Sequence, residues 1–519
     1  MKKIHIYDST LRDGAQGPGI SFSVEDKLKV VQRLDDFGVS YIEAGNPGSN
    51  PKDIEFFERL SEIKLNHSKL VAFGSTRRVG VKTEEDANVQ SILRANTATI
   101  AIFGKTWDFH VLEILKTSLD ENLSMIYDTV AYFKEKGKEV VFDAEHFFDG
   151  YLANPEYAMK ALEAAAKGGA DSLCLCDTNG GNLPDEIFRI TEKVVERFNV
   201  EIGIHCHNDN GMAVANTIMA VKAGAIQVQG TFNGYGERCG NTNLSTVIPS
   251  LHLKLGFDCV PEKSLGELTE ASRYLDEVAN VTSYENIPYV GKNAFAHKAG
   301  MHADAVNKNS SAYEHIEPER VGNERLFLMS EVAGRSAVLK LINKIAPEIK
   351  KDSKETILVL ERLKELEYDG YQYEGAESSF ELVIRKVLNL HKPAFELKDF
   401  KVIVNEPTVH NVNSSAMVKI KVGEEEEITA SEGDGPVNAL DKALRKALEK
   451  FYPQIAQVKL LDYKVRVLDS ASATAAKVRV LIESTDGKKT WNTIGVSTDI
   501  IDASWKALVD SIEYKLLNK

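Results

Sequence analysis

Short apolar runs alternate with helical periodicity along the first half of the chain. Each run is rich in β-branched residues and is followed by polar residues or glycine, which is typical of a buried strand. Between the runs lie amphipathic helices with recognisable ends, such as the one that begins after Ser23 and stops at Gly38. The pattern predicts eight strands, at residues 4–7, 41–44, 70–73, 99–103, 140–142, 172–176, 202–205 and 226–230.

Eight strand and helix pairs within about 255 residues match the size and order of a (β/α)8 barrel. An open, doubly wound parallel sheet is the alternative, but nothing in the chain marks a reversal of strand order. We therefore predict an α/β fold whose N-terminal domain is a TIM barrel.

The alternation stops after Pro261. A charged stretch rich in helix formers then runs to about residue 385 and predicts a helical linker region with small subdomains. From residue 397 three strands and a helix follow one another, and the same order recurs about 64 residues later. We expect a barrel at 1–275, linker subdomains at 276–390, and a duplicated β-β-β-α domain at 391–519 that is either regulatory or purely structural.

Charge and composition narrow the possible partners. The formal net charge is −14, from 63 basic and 77 acidic residues. Nucleic acids and anionic membranes need a broad basic surface, so neither is expected as a partner. No apolar stretch reaches the roughly 20 residues that span a bilayer, and the N-terminus lacks the apolar core of a signal peptide. We expect a cytoplasmic protein whose five cysteines are buried thiols.

In a TIM barrel the active site lies at the carboxyl ends of the strands, so polar residues directly after each apolar run are candidates. His205 and His207 in the segment GIHCHND are two positions apart on a strand and point to the same face. Two imidazoles with a carboxylate from another strand end, here Asp13, form a ligand set for Mn²⁺, Zn²⁺ or Co²⁺. A histidine pair of this spacing can also be structural, but its place at a strand end favours the metal site.

Two more charged residues follow the predicted strands. Arg12 can supply fixed positive charge where an oxyanion develops, although adjacent Arg and Asp residues also form ordinary surface ion pairs. Glu145 can act as a general acid or base, contact a substrate, or orient a histidine ligand. The glycines of GTFNGYGERCGN can let Asn241 approach the ion, and they lack the order of a dinucleotide-binding loop. His302 lies outside the barrel, and its position by itself predicts an ordinary polar residue without a functional role.

Several long motifs resemble the signatures of the 2-isopropylmalate, homocitrate and citramalate synthase family. STLRDGAQ follows the first strand, LCDTNG belongs to the sixth, and GIHCHNDNGMAVANTIMAVKAGA with QGTFNGYGERCGN covers the last two. Near the C-terminus, EGDGPVNALDKALRKAL resembles the helix-bearing unit of the family's allosteric domain. The resemblance spans the whole chain and implies a metal-dependent TIM-barrel enzyme that catalyses a Claisen condensation of acetyl-CoA with a 2-oxo acid.

The resemblance also implies a role for each matching residue. Arg12 stabilises the enolate and ketone oxygens, and Glu145 and Thr178 contact the 2-oxo acid. His302 and Tyr313 reach into the barrel of a partner subunit to help deprotonate acetyl-CoA, so a homodimer is expected. The divalent ion, which is Mn²⁺, Zn²⁺, Co²⁺ or Mg²⁺, has four ligands: Asp13, His205, His207 and Asn241.

Within the family the likeness is greatest to the citramalate synthases, whose 2-oxo acid is pyruvate and whose product is a precursor of isoleucine. Phe103, at the end of the fourth strand, is bulky and favours an acceptor as small as pyruvate. Asp143, by contrast, stands where these enzymes often carry an aromatic residue. Isoleucine is the effector expected for residues 397–519, near the loops 433–436 and 495–499. The alternatives are a 2-isopropylmalate synthase that uses 2-oxoisovalerate, a lyase of the same barrel superfamily and a non-catalytic amino-acid sensor.

Overall fold

In a computed structural model of the chain, the described residues form two compact units. The described residues are 2–48, 51–60, 64–297, 302, 305–306, 308–327, 335–350, 353–373, 376–409, 412–468, 475–487 and 489–517. One unit contains the residues up to 295 together with 316–325, and the other contains 296–315 and the residues from 326 onward. The finer division into domains at residues 275 and 390 stays a prediction.

The first unit contains a closed barrel of eight parallel strands in sequence order, with β1 paired to β8. The predicted TIM barrel is therefore confirmed, and the alternative of an open sheet is wrong. All eight predicted strands are present: β1 His5–Asp8, β2 Tyr41–Gly45, β3 Lys69–Ser75, β4 Thr99–Lys105, β5 Glu139–Glu145, β6 Ser172–Asp177, β7 Glu201–Cys206 and β8 Gln227–Gly230.

Helices cover the outside of this barrel, and their apolar faces pack against outward-facing strand residues in one continuous core. The first helix begins with a capping box between Ser23 and Asp26 and ends where Gly38 adopts a left-handed conformation at φ 88°. The helices of this unit are Val24–Phe37, Pro51–Leu60, Ala87–Arg94, Leu119–Glu135, Phe147–Ala153, Pro155–Gly168, Pro184–Arg197, Ala213–Lys222, Leu244–Pro249, Glu262–Leu265 and Leu268–Val278.

Strand side chains alternate between this outer core and the inside of the barrel, because successive residues point to opposite faces. The inward-facing residues form a second, smaller apolar cluster that includes Tyr7, Val71, Ala101 and Cys174. Towards the carboxyl ends of the strands the inward positions become polar. Four cysteines are buried, as expected, but Cys239 is exposed in the loop after β8 and corrects that prediction.

The second unit contains a short pair of parallel strands, β9 Ala296–His297 and β10 Leu326–Phe327. Three helices follow, Arg335–Ile345, Lys354–Tyr368 and Glu377–Val387, and they share an apolar core. The predicted helical linker region is therefore confirmed. In the part of the chain that the structure describes, no helix is long and apolar enough to cross a membrane.

The duplicated domain completes the second unit. The same side-chain hydrogen bond recurs 64 positions apart: Thr429 Oγ1 donates to the Ala443 carbonyl over 2.6 Å, and Thr493 Oγ1 donates to the Ala507 carbonyl over 2.8 Å. The predicted duplication is therefore confirmed. Its first copy is an antiparallel sheet of β11 Glu396–Val409, β12 Val412–Val422 and β13 Glu425–Gly433 with helix Pro436–Glu449, and its second is β14 Lys459–Val467, β15 Val478–Thr485 and β16 Thr490–Ser497 with helix Ile500–Leu517.

Candidate active site

The loop after β1 carries Arg12 and Asp13. The amides of Arg12, Asp13 and Gly14 all donate to the Ser9 carbonyl, over 3.1, 2.9 and 3.1 Å. Three donors on one carbonyl wind the chain into a tight turn at the carboxyl end of the strand. The turn places both charged side chains at a cavity that lies at the carboxyl ends of the barrel strands.

The histidine pair lies at the end of β7. His205 is the penultimate residue of the strand and His207 follows it, with the Nε2 atoms of the two rings 3.4 Å apart. Gln229 on β8 accepts at Oε1 from His205 Nδ1 over 3.1 Å, while its own amide group donates to Asp143 over 2.9 Å. Because the proton of His205 is thereby placed on Nδ1, its Nε2 keeps a free lone pair.

Asp13 lies beside the two imidazoles. Its Oδ2 is 3.5 Å from Nε2 of His205, and one ligand atom from each of the three residues lies within 4.8 Å of the others. Burial, with the neighbouring His205, lowers the pKa of His207 to about 4. Burial opposes ionisation of Asp13, but Arg12 and the histidines outweigh it and hold the pKa of this carboxyl well below its usual range. One carboxylate and two neutral imidazoles suit a divalent cation.

Asn241 adds a fourth polar group to these three. Its amide nitrogen donates to Asp13 Oδ1 and to the Tyr235 carbonyl, each over 3.0 Å, and its Oδ1 is buried with no hydrogen-bond partner among the described residues. A buried carbonyl oxygen of this kind is expected to take a partner from outside the chain. Gly236 permits the approach, because its φ is 147° and a β-carbon there would lie 2.2 Å from the Asn241 amide. The residues present therefore fit a divalent metal ion.

Arg12 is held between two carboxylates and an aromatic ring. Its Nε donates to Oε1 of the buried Glu43 over 2.5 Å, and its Nη1 donates to Asp13 Oδ2 over 3.0 Å. The guanidinium carbon lies over the Phe73 ring, 3.8 Å from its centre. Tyr7 donates to the other oxygen of Glu43 over 2.5 Å and fixes that carboxylate. Arg12 thus presents a positive charge of fixed orientation beside Asp13.

These groups face one cavity of about 260 Å³ at the carboxyl ends of the strands. Phe73 and Phe103 stack with ring centres 5.4 Å apart and form an apolar wall. Asp143 also faces the cavity, and burial raises its pKa to about 7. The lining is Arg12, Asp13, Gln16, Phe73, Phe103, Asp143, Glu145, Cys176, Thr178, His205, His207, Glu237 and Arg238. The volume lies just below the roughly 300–1,000 Å³ of most ligand pockets and suits a small substrate.

Glu145 and Thr178 line the same cavity. Glu145 ends β5 and forms an ion pair with Lys105 at the end of β4. Thr178 Oγ1 accepts from the amide of His146 over 2.9 Å and keeps its own proton for a ligand. The structure therefore brings seven of the predicted site residues together at one end of the barrel: Arg12, Asp13, Glu145, Thr178, His205, His207 and Asn241.

His302 and Tyr313 lie in the second unit. Their rings are 4.1 Å apart, and both side chains are exposed. The structure therefore pairs these two residues with each other, and their role at an active site stays a prediction.

Three further residues support the site: Phe73 and Gln229, which have no role in the sequence prediction, and Glu43, which is predicted only as a polar candidate at the end of the second strand. Gln229 carries a detectable signal, because Gln227 and Gln229 alternate in a fully buried strand and must both face the barrel interior. Glu43 also has a signal in the sequence, because it is the single charged residue within the buried strand β2. Phe73 carries none, because an aromatic residue near the end of an apolar strand is ordinary core.

Family models match most of the chain. Residues 3–274, which cover the barrel and more than half of the chain, match the HMGL-like family. Residues 289–370 match the homocitrate synthase post-HMGL domain-like family, and residues 374–516 match the LeuA allosteric (dimerisation) domain.

Curated relatives match along nearly their whole length. The (R)-citramalate synthase of Aquifex aeolicus is 53% identical over 518 residues, which cover 99% of this chain and 98% of the relative. The enzyme of that name from Geobacter sulfurreducens is 50% identical over 519 residues, with 99% and 98% covered. The one from Synechocystis is 49% identical over 523 residues, with 98% and 96% covered. The chain therefore belongs to the HMGL-like family and, within it, to the group of (R)-citramalate synthases.

Proposed function

We propose that this protein is an (R)-citramalate synthase, an acyltransferase that condenses acetyl-CoA with pyruvate and then hydrolyses the thioester. The acetyl methyl carbon forms a bond to the ketone carbon of pyruvate, and water releases coenzyme A as a free thiol. The observation that carries the proposal is that three candidate metal ligands, Asp13, His205 and His207, line the same small cavity as Arg12. The identity of 46–53% to curated (R)-citramalate synthases supports the choice of reaction.

One divalent ion is held by the four donor residues. An ion bound there would polarise the ketone of pyruvate and balance negative charge on its oxygen. Gln229 supports this role, because its hydrogen bond to His205 Nδ1 leaves Nε2 free for ligation. The ion is Mn²⁺, Zn²⁺, Co²⁺ or Mg²⁺, and its proposed ligands are Asp13, His205, His207 and Asn241.

Arg12 supplies fixed positive charge. Negative charge develops first on the enolate oxygen of acetyl-CoA and then on the ketone oxygen of pyruvate, and both are stabilised by an oriented donor. Glu43 and Phe73 hold the guanidinium in place, so little reorganisation is needed when that charge develops. Arg12 therefore lowers the barrier to condensation more than it strengthens substrate binding.

Pyruvate contacts Thr178 and Glu145. The Thr178 hydroxyl donates its remaining proton to the substrate, since its oxygen already accepts from the backbone. Glu145, paired with Lys105, contacts the 2-oxo acid or carries a proton. The size of the acceptor is limited by the aromatic wall that Phe103 forms in the cavity.

His302 and Tyr313 of one subunit complete the barrel site of the partner in a homodimer. Because their rings lie 4.1 Å apart, they can act together when a methyl proton is removed from acetyl-CoA. The match of residues 374–516 to a dimerisation domain supports the dimer.

Feedback control by isoleucine forms part of the proposal. The same match to an allosteric domain supports an amino-acid effector that binds in the second unit. The enzyme is proposed to work in the cytoplasm, where pyruvate and acetyl-CoA are central metabolites.

A thiol-release assay tests the proposed function. The protein with acetyl-CoA receives pyruvate, 2-oxobutyrate or 2-oxoisovalerate, and free coenzyme A is measured. We expect the highest kcat/KM with pyruvate, loss of activity on chelation and recovery when a divalent ion is returned. A higher kcat/KM with 2-oxoisovalerate would indicate a 2-isopropylmalate synthase instead. Absence of thiol release with every acceptor would overturn the proposal.

A further inference from the structure

Asp143 is a buried carboxyl group of the barrel cavity to which the proposed condensation gives no role. It lies in β5 and lines the cavity beside Phe103, its registered neighbour in β4. The residue is only 4% exposed. A carboxyl group that is removed from bulk water normally has a hydrogen-bond partner for each oxygen. The contacts of Asp143 therefore show whether the protein itself satisfies this group.

The protein provides a partner for one of the two oxygens. Oδ1 of Asp143 accepts from the amide group of Gln229 over 2.9 Å, whereas its Oδ2 makes no hydrogen bond to another described residue. Burial raises the pKa of this carboxyl, so at neutral pH it repels an anionic ligand less than an ordinary aspartate does. The second oxygen is therefore left for a ligand or a water molecule in the cavity.

The part of a 2-oxo acid that meets this oxygen follows by elimination. In the proposed function, the carboxylate and the keto oxygen of the acceptor are bound at Arg12, Thr178 and the metal site. Glu145 is already paired with Lys105. The third carbon of the acceptor is left for the remaining wall of the cavity, which consists of Phe73, Phe103, Asp143 and Cys176.

This wall combines an apolar surface with one open polar atom. The methyl group of pyruvate can pack on Phe103 but cannot form a hydrogen bond to Asp143. A water molecule, which needs about 30 Å³, can then hydrate the open oxygen within the cavity of about 260 Å³. A hydroxyl group on the third carbon would replace that water and donate directly to Asp143. A methyl group in the same place would displace the water and leave the oxygen unpaired.

We propose that Asp143 is a specificity-determining residue of the acceptor site and that 3-hydroxypyruvate is a further acceptor. The proposal rests on the proposed function and extends it to a 2-oxo acid with a hydroxyl group on its third carbon. A base takes a methyl proton from acetyl-CoA, the resulting carbon forms a bond to the ketone carbon of 3-hydroxypyruvate, and the ketone oxygen takes up a proton. Water then cleaves the thioester and gives 2-(hydroxymethyl)malate and the free thiol of coenzyme A.

Two acceptors of equal size test this proposal on the wild-type protein. 3-Hydroxypyruvate and 2-oxobutyrate have the same number of non-hydrogen atoms and differ in a hydroxyl against a methyl group. In the thiol-release assay we expect kcat/KM for 3-hydroxypyruvate to be at least about tenfold higher than for 2-oxobutyrate and within about tenfold of that for pyruvate. Mass spectrometry identifies the product. A kcat/KM for 2-oxobutyrate that equals or exceeds that for 3-hydroxypyruvate would overturn the proposal.

Variants of Asp143 test whether this residue makes the distinction. Asp143→Leu keeps the shape and removes both oxygens, so the ratio of kcat/KM for 3-hydroxypyruvate to that for 2-oxobutyrate should fall at least about tenfold. Asp143→Asn keeps a polar atom beside the hydroxyl group and should hold the ratio within about threefold. The matched control is Asp36→Leu, at an exposed position of the first helix, which should leave the ratio unchanged.

A purely structural role of Asp143 gives a different result. If the residue acts only by orienting Gln229 and, through it, His205, Asp143→Leu lowers kcat/KM for both acceptors alike. An unchanged ratio would therefore overturn the role in specificity. Calorimetric binding of the two acceptors supplies the same ratio if turnover of the variant is too slow to measure.

The inference and the proposed function fail in different ways. If pyruvate releases thiol and 3-hydroxypyruvate does not, only the inference is overturned. If neither acceptor releases thiol, the proposed function is overturned, and the inference fails with it.

Discussion

At the scale of single residues, contacts on three sides set the orientation of Arg12. Glu43 accepts from its Nε, Asp13 accepts from its Nη1, and the Phe73 ring lies under the guanidinium. A lysine carries its charge on one flexible ammonium group and lacks the planar guanidinium that donates to both carboxylates while its face lies on the ring. Positive charge without this planar geometry is therefore not sufficient at position 12.

Arg12→Lys is expected to lower kcat/KM for thiol release by about 10²–10³, since loss of one oriented donor costs about 2.7–4 kcal/mol in the transition state. The loss should appear mainly in kcat. The control is Arg78→Lys, at a side chain that is 65% exposed and paired with Asp86, and its rate should stay within about twofold of the wild type. Steady-state kinetics with pyruvate measure both variants, and a full rate for Arg12→Lys would contradict the assignment.

Phe103 gives a second prediction at this scale, because its ring stacks on Phe73 in the cavity wall. Phe103→Leu shortens that wall, so the ratio of kcat/KM for 2-oxoisovalerate to that for pyruvate should rise about tenfold, in keeping with 1–3 kcal/mol per methylene. Phe109→Leu, at a residue that is 47% exposed, is the control and should leave the ratio unchanged. If the ratio also stays constant in Phe103→Leu, this ring does not limit the acceptor.

At the scale of secondary-structure elements, a buried carboxylate joins the first helix to the third strand. Asp35 lies in this helix and accepts from the amides of Asn66, His67 and Ser68, over 2.7, 2.8 and 2.7 Å, just before β3 begins. Burial alone would raise the pKa of Asp35, but the three donors outweigh it and lower the pKa. The carboxylate therefore stabilises the fold while it is ionised.

Asp35→Asn should lower the free energy of unfolding of the barrel by about 1.5–3 kcal/mol at pH 7, because it removes hydrogen bonds to a charged group. Since the folded-state pKa is lowered, this stabilisation is fully present above the unfolded-state value of about 3.9 and is lost as the pH falls through the folded-state pKa. The difference in free energy of unfolding between Asp35→Asn and the wild type should therefore shrink below about pH 4.

Urea unfolding followed by tryptophan fluorescence, to which Trp107 contributes from the barrel unit, measures this difference. The neighbouring Asp36 is exposed and provides the control. Asp36→Asn should change the free energy of unfolding by no more than about 0.5 kcal/mol at either pH. If Asp35→Asn lowers the free energy of unfolding by the same amount at pH 7 and at low pH, that result would contradict the role of the ionised carboxylate.

At the scale of the whole molecule, the proposed site requires two chains. His302→Ala and Asp13→Ala should each be inactive, but in a mixed dimer one site carries both defects and the other carries neither. Mixing the two proteins under conditions of subunit exchange should restore about a quarter of the wild-type activity, because half of the dimers are mixed and each has one intact site. No recovery, with exchange verified by mass spectrometry, would place His302 in the site of its own chain.

The spacing of apolar residues by itself determined the elements of this protein. A strand or helix that buries one face needs apolar side chains at a fixed period, so the eight barrel strands, the helices between them and the duplicated domain could be predicted without contacts. The same period placed His205 and His207 on one face. The motifs determined the family, and the matches over residues 3–274 and 374–516 confirm it.

Contacts between distant segments were decided only by the tertiary structure. Glu43 holds Arg12 from a strand 31 positions away, and Gln229 orients His205 because the parallel pairing of β7 with β8 sets these two residues in register. Spacing along the chain carries no information about these pairs, since they depend on the stagger of the closed sheet, and a shift of one residue would turn each side chain to the other face. In the second unit, a cavity lined by Leu366, Tyr373 and Trp505 likewise arises where helices from separate segments meet, so no single stretch of sequence encodes it.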